Sequence, residues 1–208
     1  MPSSTSNRFR DQWRFFRQWV RAPRETASIA PSSRMLARRM LNAAGEPLQA
    51  VIELGAGTGV FTREVLRRGV APDHLMVVEL SADMAQELQR EFPASEVVNA
   101  DARDLVQLVE RSAVLKTGEI DAVISGLGFL SMPEDISLAI LEAVFAVLKP
   151  SGRLVTFTYG RKPSIPQHLM DALKLECQPG GRTMLNLPPA WVFVYTRRSL
   201  DGVAAGCV

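Results

Sequence analysis

The stretch "VIELGAGTGVFT", residues 51–62, decides the fold. Val51-Ile52-Glu53-Leu54 is a short, mostly apolar run of the kind a buried strand carries. Glycines at 55, 57 and 59 end it abruptly, and a helical pattern runs on to Gly69. Glycines in a strand-to-helix turn let the backbone approach a ligand closely, and the helix N-terminus offers unpaired N–H groups. Taken alone, the same spacing also suits a bare tight turn, so the flanking residues must decide.

Working outward, strand and helix alternate. Strands are expected at 74–80, 95–101, 120–126 and 153–159, with helices at 33–44, 82–92, 102–115 and 134–148 between and before them. "KPSG" after the last of these helices reads as a turn, and 189–198 reads as a late strand of β-branched and aromatic residues. Such alternation with short links predicts an α/β fold on a mostly parallel sheet. Glu79 ends the second strand, where a carboxylate can take both ribose hydroxyls of a nucleoside, and Leu80 follows it. Asp101 and Ala102 end the third strand, where a carboxylate or its neighbouring amide can hold an adenine amino group, and Ser125 ends the fourth. All lie at the carboxyl edge of the sheet, where open α/β folds bind ligands.

Composition bounds the rest. The 208 residues carry a net charge of +2 and are 47% hydrophobic, with mean hydropathy near zero, as in ordinary globular domains. The most apolar long run, 136–148, is broken by Glu142, so no membrane-spanning helix is expected. Cys177 and Cys207 have no metal spacing, and His74 and His168 stand alone, so no metal centre is expected. No secretory signal is visible, and a cytoplasmic location follows as the expectation.

The charge is unevenly placed. Residues 1–24 hold six arginines against Asp11, so the remainder of the chain is mildly acidic. On a helix, Phe9, Trp13, Phe16 and Val20 share one face, Trp19 flanks it, and Arg10, Arg14, Arg17 and Arg21 form a second stripe beside it. Aromatics below and arginines at the side suit a helix lying in a membrane interface. Packing of the aromatics on the domain and a nucleic-acid arm are the other readings. We divide the chain into a helical membrane-binding and lid segment, 1–46, and a catalytic domain, 47–208.

Together, E-x-G-x-G-x-G, then Glu79, then Asp101-Ala102 resemble the class I S-adenosylmethionine methyltransferases over 51 to about 160. The dinucleotide fingerprint G-x-G-x-x-G is absent, because residue 60 is Val. The resemblance implies a Rossmann-like, seven-stranded sheet with its last strand antiparallel. It implies S-adenosylmethionine as cofactor, S-adenosylhomocysteine as product, and a cofactor site of Glu53, Gly55, Ala56, Gly57, Thr58, Gly59, Glu79, Leu80, Asp101, Ala102 and Ser125.

The loop "ISGLGFLSMP" lacks the Asn/Asp-Pro-aromatic pattern of adenine-N6 and ribosomal RNA dimethylating enzymes, so a flipped-base pocket is not expected. With "APSSRMLARRM", "EFPASEVVNADA", "LKPSGRLVTFTYGRKPSIP" and "LPPAWVFVY", it resembles the soluble-type bacterial phospholipid N-methyltransferases over nearly the whole chain. That family is similar in organisation to the ribosomal dimethylases. The resemblance implies stepwise methylation of phosphatidylethanolamine to phosphatidylcholine on the inner face of the cytoplasmic membrane. The implied partners are an anionic membrane surface and a phospholipid substrate, with no nucleic acid and no obligate protein partner. Gly128 departs from the usual Ser-Gly-Leu-Pro, and the branch that methylates ornithine lipids is the alternative.

For catalysis we single out Tyr159, which can position the amine through its hydroxyl or ring, and Ser125, which can orient it. Arg161 and Lys162 are candidates for the lipid phosphate, and Gly126 and Leu127 for the substrate pocket. Tyr159 also suits a packed strand-end aromatic, and Arg161 and Lys162 a solvated turn.

Overall fold

Strands covered on both faces read as continuous apolar runs, and β1 (Val51–Leu54) and β2 (Leu75–Glu79) are buried at every residue. The computed structural model describes residues 30–183 and 189–198. The other strands are β3 (Glu96–Asn99), β4 (Ile120–Ser125), β5 (Leu148–Thr158), β6 (Leu175–Thr183) and β7 (Ala190–Arg197). The helices are α1 (Ala30–Ala44), α2 (Val60–Arg67), α3 (Ala82–Glu91), α4 (Leu105–Arg111), α5 (Glu134–Val147) and α6 (Gln167–Ala172). The seven strands form one sheet in the order β3-β2-β1-β4-β5-β7-β6. The first five run parallel, and β7 lies antiparallel between β5 and β6.

Alternation along each strand divides the core between two faces. Ile52, Leu54, Met76, Val78, Val123 and Leu154 point to the layer of α4, α5 and α6. Val51, Leu75, Val77, Ala122, Ile124 and Val155 point to the layer of α1, α2 and α3. Leu36, Met40 and Leu41 bring α1 into that second core, so residues 30–44 of the N-terminal segment are part of the sheet's cover. The amphipathic stretch Phe9 to Arg21 lies outside the described residues. Among the described residues, no helix is long and apolar enough to cross a membrane.

Three regions differ from expectation. β6 and α6 lie where the sequence reading places no element, and Pro179-Gly180-Gly181 is poor in strand formers. Pairing with β7 makes the segment a strand, with a register shift between Pro179 and Gly181. β5 begins at Leu148 rather than 153. Its register with β4 jumps from Ile120↔Leu148 to Ala122↔Arg153, so "KPSG" is an irregularity within the strand rather than a turn before it. The Lys149 ammonium pairs there with the Asp121 carboxylate. The third helix after the glycine turn is also shorter than expected, a 3-10 turn at Ala102–Asp104 leading into α4.

Tyr195 on β7 is fully buried and anchors the loop after β5. Its hydroxyl shares a hydrogen bond with Ser164 Oγ at 2.9 Å and accepts one from the Ile165 N–H at 3.2 Å. Ser164 in turn meets Thr156 Oγ1. Tyr195→Phe leaves the buried Ile165 N–H without its partner and Ser164 with Thr156 alone, and should lower stability by about 1–3 kcal/mol, read as a lower urea midpoint.

Candidate active site

The turns after β1 and β4 touch backbone to backbone at the carboxyl edge of the sheet. Gly55 has φ 71°, and its N–H donates to the Val78 carbonyl at 2.9 Å. The Gly126 N–H donates to the Leu54 carbonyl at 2.8 Å. A Cβ on Gly126 would lie 2.6 Å from the Gly55 carbonyl oxygen, and one on Gly55 would lie 2.8 Å from Leu127 Cδ2. Only glycine at both positions permits this approach. Gly59 seats α2 against α3, since its Cβ would meet Phe92 at 2.7 Å and Leu88 at 2.9 Å. Ala56 is buried within the turn and its carbonyl accepts the Gly59 N–H, while the Thr58 carbonyl accepts from Arg63.

Glu79 connects the glycine turn to β2. Its Oε2 accepts the Gly57 N–H at 3.1 Å and its Oε1 the Ser81 N–H at 2.9 Å. Asn99 on β3 donates from Nδ2 to the carbonyls of Glu79 and Leu80 at 2.9 and 3.0 Å. Leu80 beside it leaves 50% of its surface open. Both Asp101 oxygens engage Arg103, at 2.9 and 3.1 Å from its N–H and Nε to Oδ1 and at 2.8 Å from Nη2 to Oδ2. Those side-chain hydrogen bonds hold the Asp101 carboxyl below the usual carboxylate range. Asp101 caps the 3-10 turn that Ala102 opens.

Glu53 is fully buried beneath the turn, on the face toward α2. Its Oε2 accepts from Thr62 Oγ1 at 2.6 Å, and its Oε1 is buried without a hydrogen-bond partner. Burial pushes its pKa up to about 8, with the Thr62 hydrogen bond opposing and the Glu79 charge adding. Ser125 is also fully buried, and its hydroxyl accepts the Leu127 N–H at 3.2 Å. Ser125 thus braces the Gly126–Leu127 turn. Leu127 lies nearly buried over Gly55.

On the β5 side, three rings run in a row. Phe61, in the first turn of α2, lies 6.1 Å from Phe157, and Phe157 meets Tyr159 edge-on at 5.5 Å. This row carries Tyr159 from the end of β5 toward the glycine turn. Tyr159 is 37% exposed, and burial of the remainder pushes its pKa up to about 12. Its hydroxyl is therefore protonated near neutrality. Arg161 and Lys162 are exposed on the following turn, which Thr158 Oγ1 holds through Gly160 and the Lys162 carbonyl.

The structure brings Glu53, the three glycines, Glu79, Ser125, Gly126 and Leu127 into one connected unit. Among the described residues, Phe157 and Phe61 form a row of rings between Tyr159 and the start of α2. No hydrogen bond or ion pair joins Arg161 or Lys162 to that unit among the described residues. Sequence reasoning missed Thr62, Phe61, Phe157, Asn99 and Arg103. Arg103 had a visible signal, two residues after Asp101. The other four depend on which faces meet.

Comparison with known proteins agrees with this geometry. A family model described as a methyltransferase domain matches residues 51–152. The ornithine lipid N-methyltransferase of Singulisphaera acidiphila is 34% identical over 176 residues, covering 80% of this chain and 86% of that protein. The Burkholderia thailandensis 1,6-didemethyltoxoflavin-N1-methyltransferase, solved with S-adenosylhomocysteine bound, matches with TM-score 0.63 at 15% identity, over 96% of this chain and 93% of its own. The DhpI–SAH complex matches with TM-score 0.63 at 20% identity, over 94% of this chain and 99% of that one. The two structural likenesses concern the fold.

The residues present fit S-adenosylmethionine. A buried carboxyl oxygen without a partner, Glu53 Oε1, suits an ammonium group. The glycine cradle admits close backbone approach, and Glu79 offers its carboxylate to ribose hydroxyls once Gly57 and Ser81 share it.

Two outcomes follow from this geometry. Gly55→Ala should lower S-adenosylhomocysteine affinity at least about tenfold by calorimetry, since the Leu127 wall must shift. The Glu53 carboxyl, at 4.5 when unfolded and about 8 when folded, lends stability that is complete below the first value and lost as pH rises through the second. Urea midpoints should therefore fall as pH is raised across that window, and Glu53→Gln should flatten the fall.

Proposed function

From the premise that the chain belongs to the class I S-adenosylmethionine-dependent methyltransferases, we propose that it N-methylates the amine of a membrane lipid, with ornithine lipid as its first substrate. The observation that carries this is the 34% identity to an ornithine lipid N-methyltransferase over 80% of the chain. It moves ornithine lipid ahead of phosphatidylethanolamine, the substrate that the sequence resemblance put first. Gly128, where the phospholipid enzymes usually have proline, favours the same order.

Bound S-adenosylmethionine supplies a methyl group activated by its sulfonium. The chain's part is to align a neutral amine with it and to exclude water. Tyr159 keeps its proton near neutrality, so it serves as a hydrogen-bond partner for the amine and not as the base that deprotonates it. Its ring face suits the cationic methylated products. Ser125 contributes by bracing the Gly126–Leu127 wall. Arg161 and Lys162 offer cations to the head-group anion, a carboxylate in ornithine lipid and a phosphate in phosphatidylethanolamine. Phe9 to Arg21 would hold the enzyme on the inner face of the cytoplasmic membrane. Four arginines near an anionic leaflet contribute about 4 kcal/mol, reversibly and with salt sensitivity.

The test supplies labelled S-adenosylmethionine with vesicles of ornithine lipid or of phosphatidylethanolamine, each with and without phosphatidylglycerol. Labelled ornithine lipid should exceed labelled phosphatidylethanolamine. No labelled lipid of either kind, from protein that binds S-adenosylhomocysteine, would overturn the reading. Tyr159→Phe should reduce kcat about tenfold, the worth of one lost positioning hydrogen bond. Gly128 sits at φ −88°, close to what proline adopts, so Gly128→Pro should fold and shift the product ratio toward methylated phosphatidylethanolamine.

A further inference from the structure

The exposed large apolar residues of the described chain are Met35, Leu80, Leu130 and Tyr159. Leu80, Leu130 and Tyr159 follow β2, β4 and β5, so all three stand at the carboxyl edge of the sheet. Met35 is the informative one, because α1 lies far from that edge in sequence. Arg153, at the start of the regular part of β5, donates to the Ala43 and Ala44 carbonyls at 3.3 and 3.2 Å, which puts the end of α1 at the opposite edge. Farther along, Arg39 packs over Gly181, with its Cδ 3.1 Å from where a Cβ would be. Gly181 pairs with Val192, and Val192 pairs with Phe157, so Arg39 is level with Phe157. Met35 lies one helical turn, about 6 Å, beyond that level, at the rim itself.

Unpaired positive charge gathers on the same rim. Arg34 is next to Met35, and Arg161 and Lys162 follow Tyr159. Arg182 pairs with Trp191, which pairs with Thr158, so it too stands at the rim. These four are exposed, and among the described residues none makes an ion pair. Several other exposed arginines of the described surface are paired, Arg63 with Glu91, Arg67 with Glu64 and Arg198 with Asp171, while Arg39, Arg90 and Arg111 are exposed without an ion pair among the described residues. Leu130, 59% exposed, lies in the turn after β4, the strand at which the half of the rim formed by β4, β5, β7 and β6 begins.

We propose that this half of the rim, with Met35 and Leu130 as apolar contacts and Arg34, Arg161, Lys162 and Arg182 as cations, docks directly on an anionic lipid bilayer. The occupant is argued from charge: four cations without ion pairs on the same edge of the sheet as two exposed apolar side chains complement phosphate groups over acyl chains. The inference rests on the lipid-substrate reading and adds an orientation to it. The mouth of the site faces the bilayer, and an amine head group reaches it without leaving the leaflet.

The test uses the full chain and vesicles of phosphatidylcholine with and without phosphatidylglycerol. Two double variants are compared with the parent, Met35→Ser with Leu130→Ser, and Arg34→Gln with Arg182→Gln. Each should lower partition onto phosphatidylglycerol vesicles on the order of tenfold. Both should retain S-adenosylhomocysteine binding in solution and turnover of a short-chain, monomeric aminolipid. The arginine variant should also show a weaker salt dependence. Parent-like partition by both variants, or a parent that ignores the vesicles, overturns the docking face. A parent that binds vesicles yet methylates no aminolipid, monomeric or in vesicles, defeats the substrate reading instead and leaves the partition result standing.

Discussion

The contact between Gly55 and Gly126 is the constraint on which the rest of the site depends. A Cβ on Gly126 would lie 2.6 Å from the Gly55 carbonyl oxygen, and one on Gly55 would lie 2.8 Å from the Leu127 side chain that covers it. Because the turns after β1 and β4 meet, Leu127 roofs the glycine loop and Ser125 is sealed beneath it. Because the glycine loop is held there, Gly57 presents its N–H to Glu79 and Glu53 is shut away from water. The raised pKa of Glu53 is thus a product of backbone geometry two strands wide.

The same geometry divides labour between the two halves of the sheet. The half built from β1, β2 and β3 carries fixed carboxylates and backbone donors, the equipment for a polar nucleoside. The half built from β4, β5, β7 and β6 carries rings, a brace of small hydroxyls around Tyr195, and exposed cations. Phe61 links the two, since it belongs to the helix that opens at the glycine turn yet packs toward β5. A methyl donor and a methyl acceptor of very different polarity can then be held side by side on one scaffold.

Much of this was legible from residue order alone, and for physical reasons. Strands buried on two faces announce themselves as apolar runs, and the glycine and acid positions fall where local sequence sets local backbone. What was illegible depends on partners distant in sequence. Pro179-Gly180-Gly181 has no strand propensity, and only β7 makes it one. "KPSG" looks like a turn because its four residues are turn formers, yet the sheet carries it through as an irregularity. Asp101 read as the end of the third strand, whereas β3 stops at Asn99 and Asp101 caps the following turn with its oxygens occupied by Arg103. Ser125 read as an open hydroxyl because nothing local foretells that Leu127 folds back over it.

β7's place between β5 and β6 has a consequence for how the chain comes to be folded. During synthesis from the N-terminus, β1 to β5 can assemble as soon as they are made, leaving β5 as an unpaired edge. β6 emerges next but has no bond to β5 and must wait, because its only neighbour is β7. Only when 190–197 appear do both vacant edges close, in a single insertion. The β7 and β6 side of the sheet, with Arg182, is therefore the last part to form, and the strands that carry the glycine turn, Glu79 and Phe157 are in place before it.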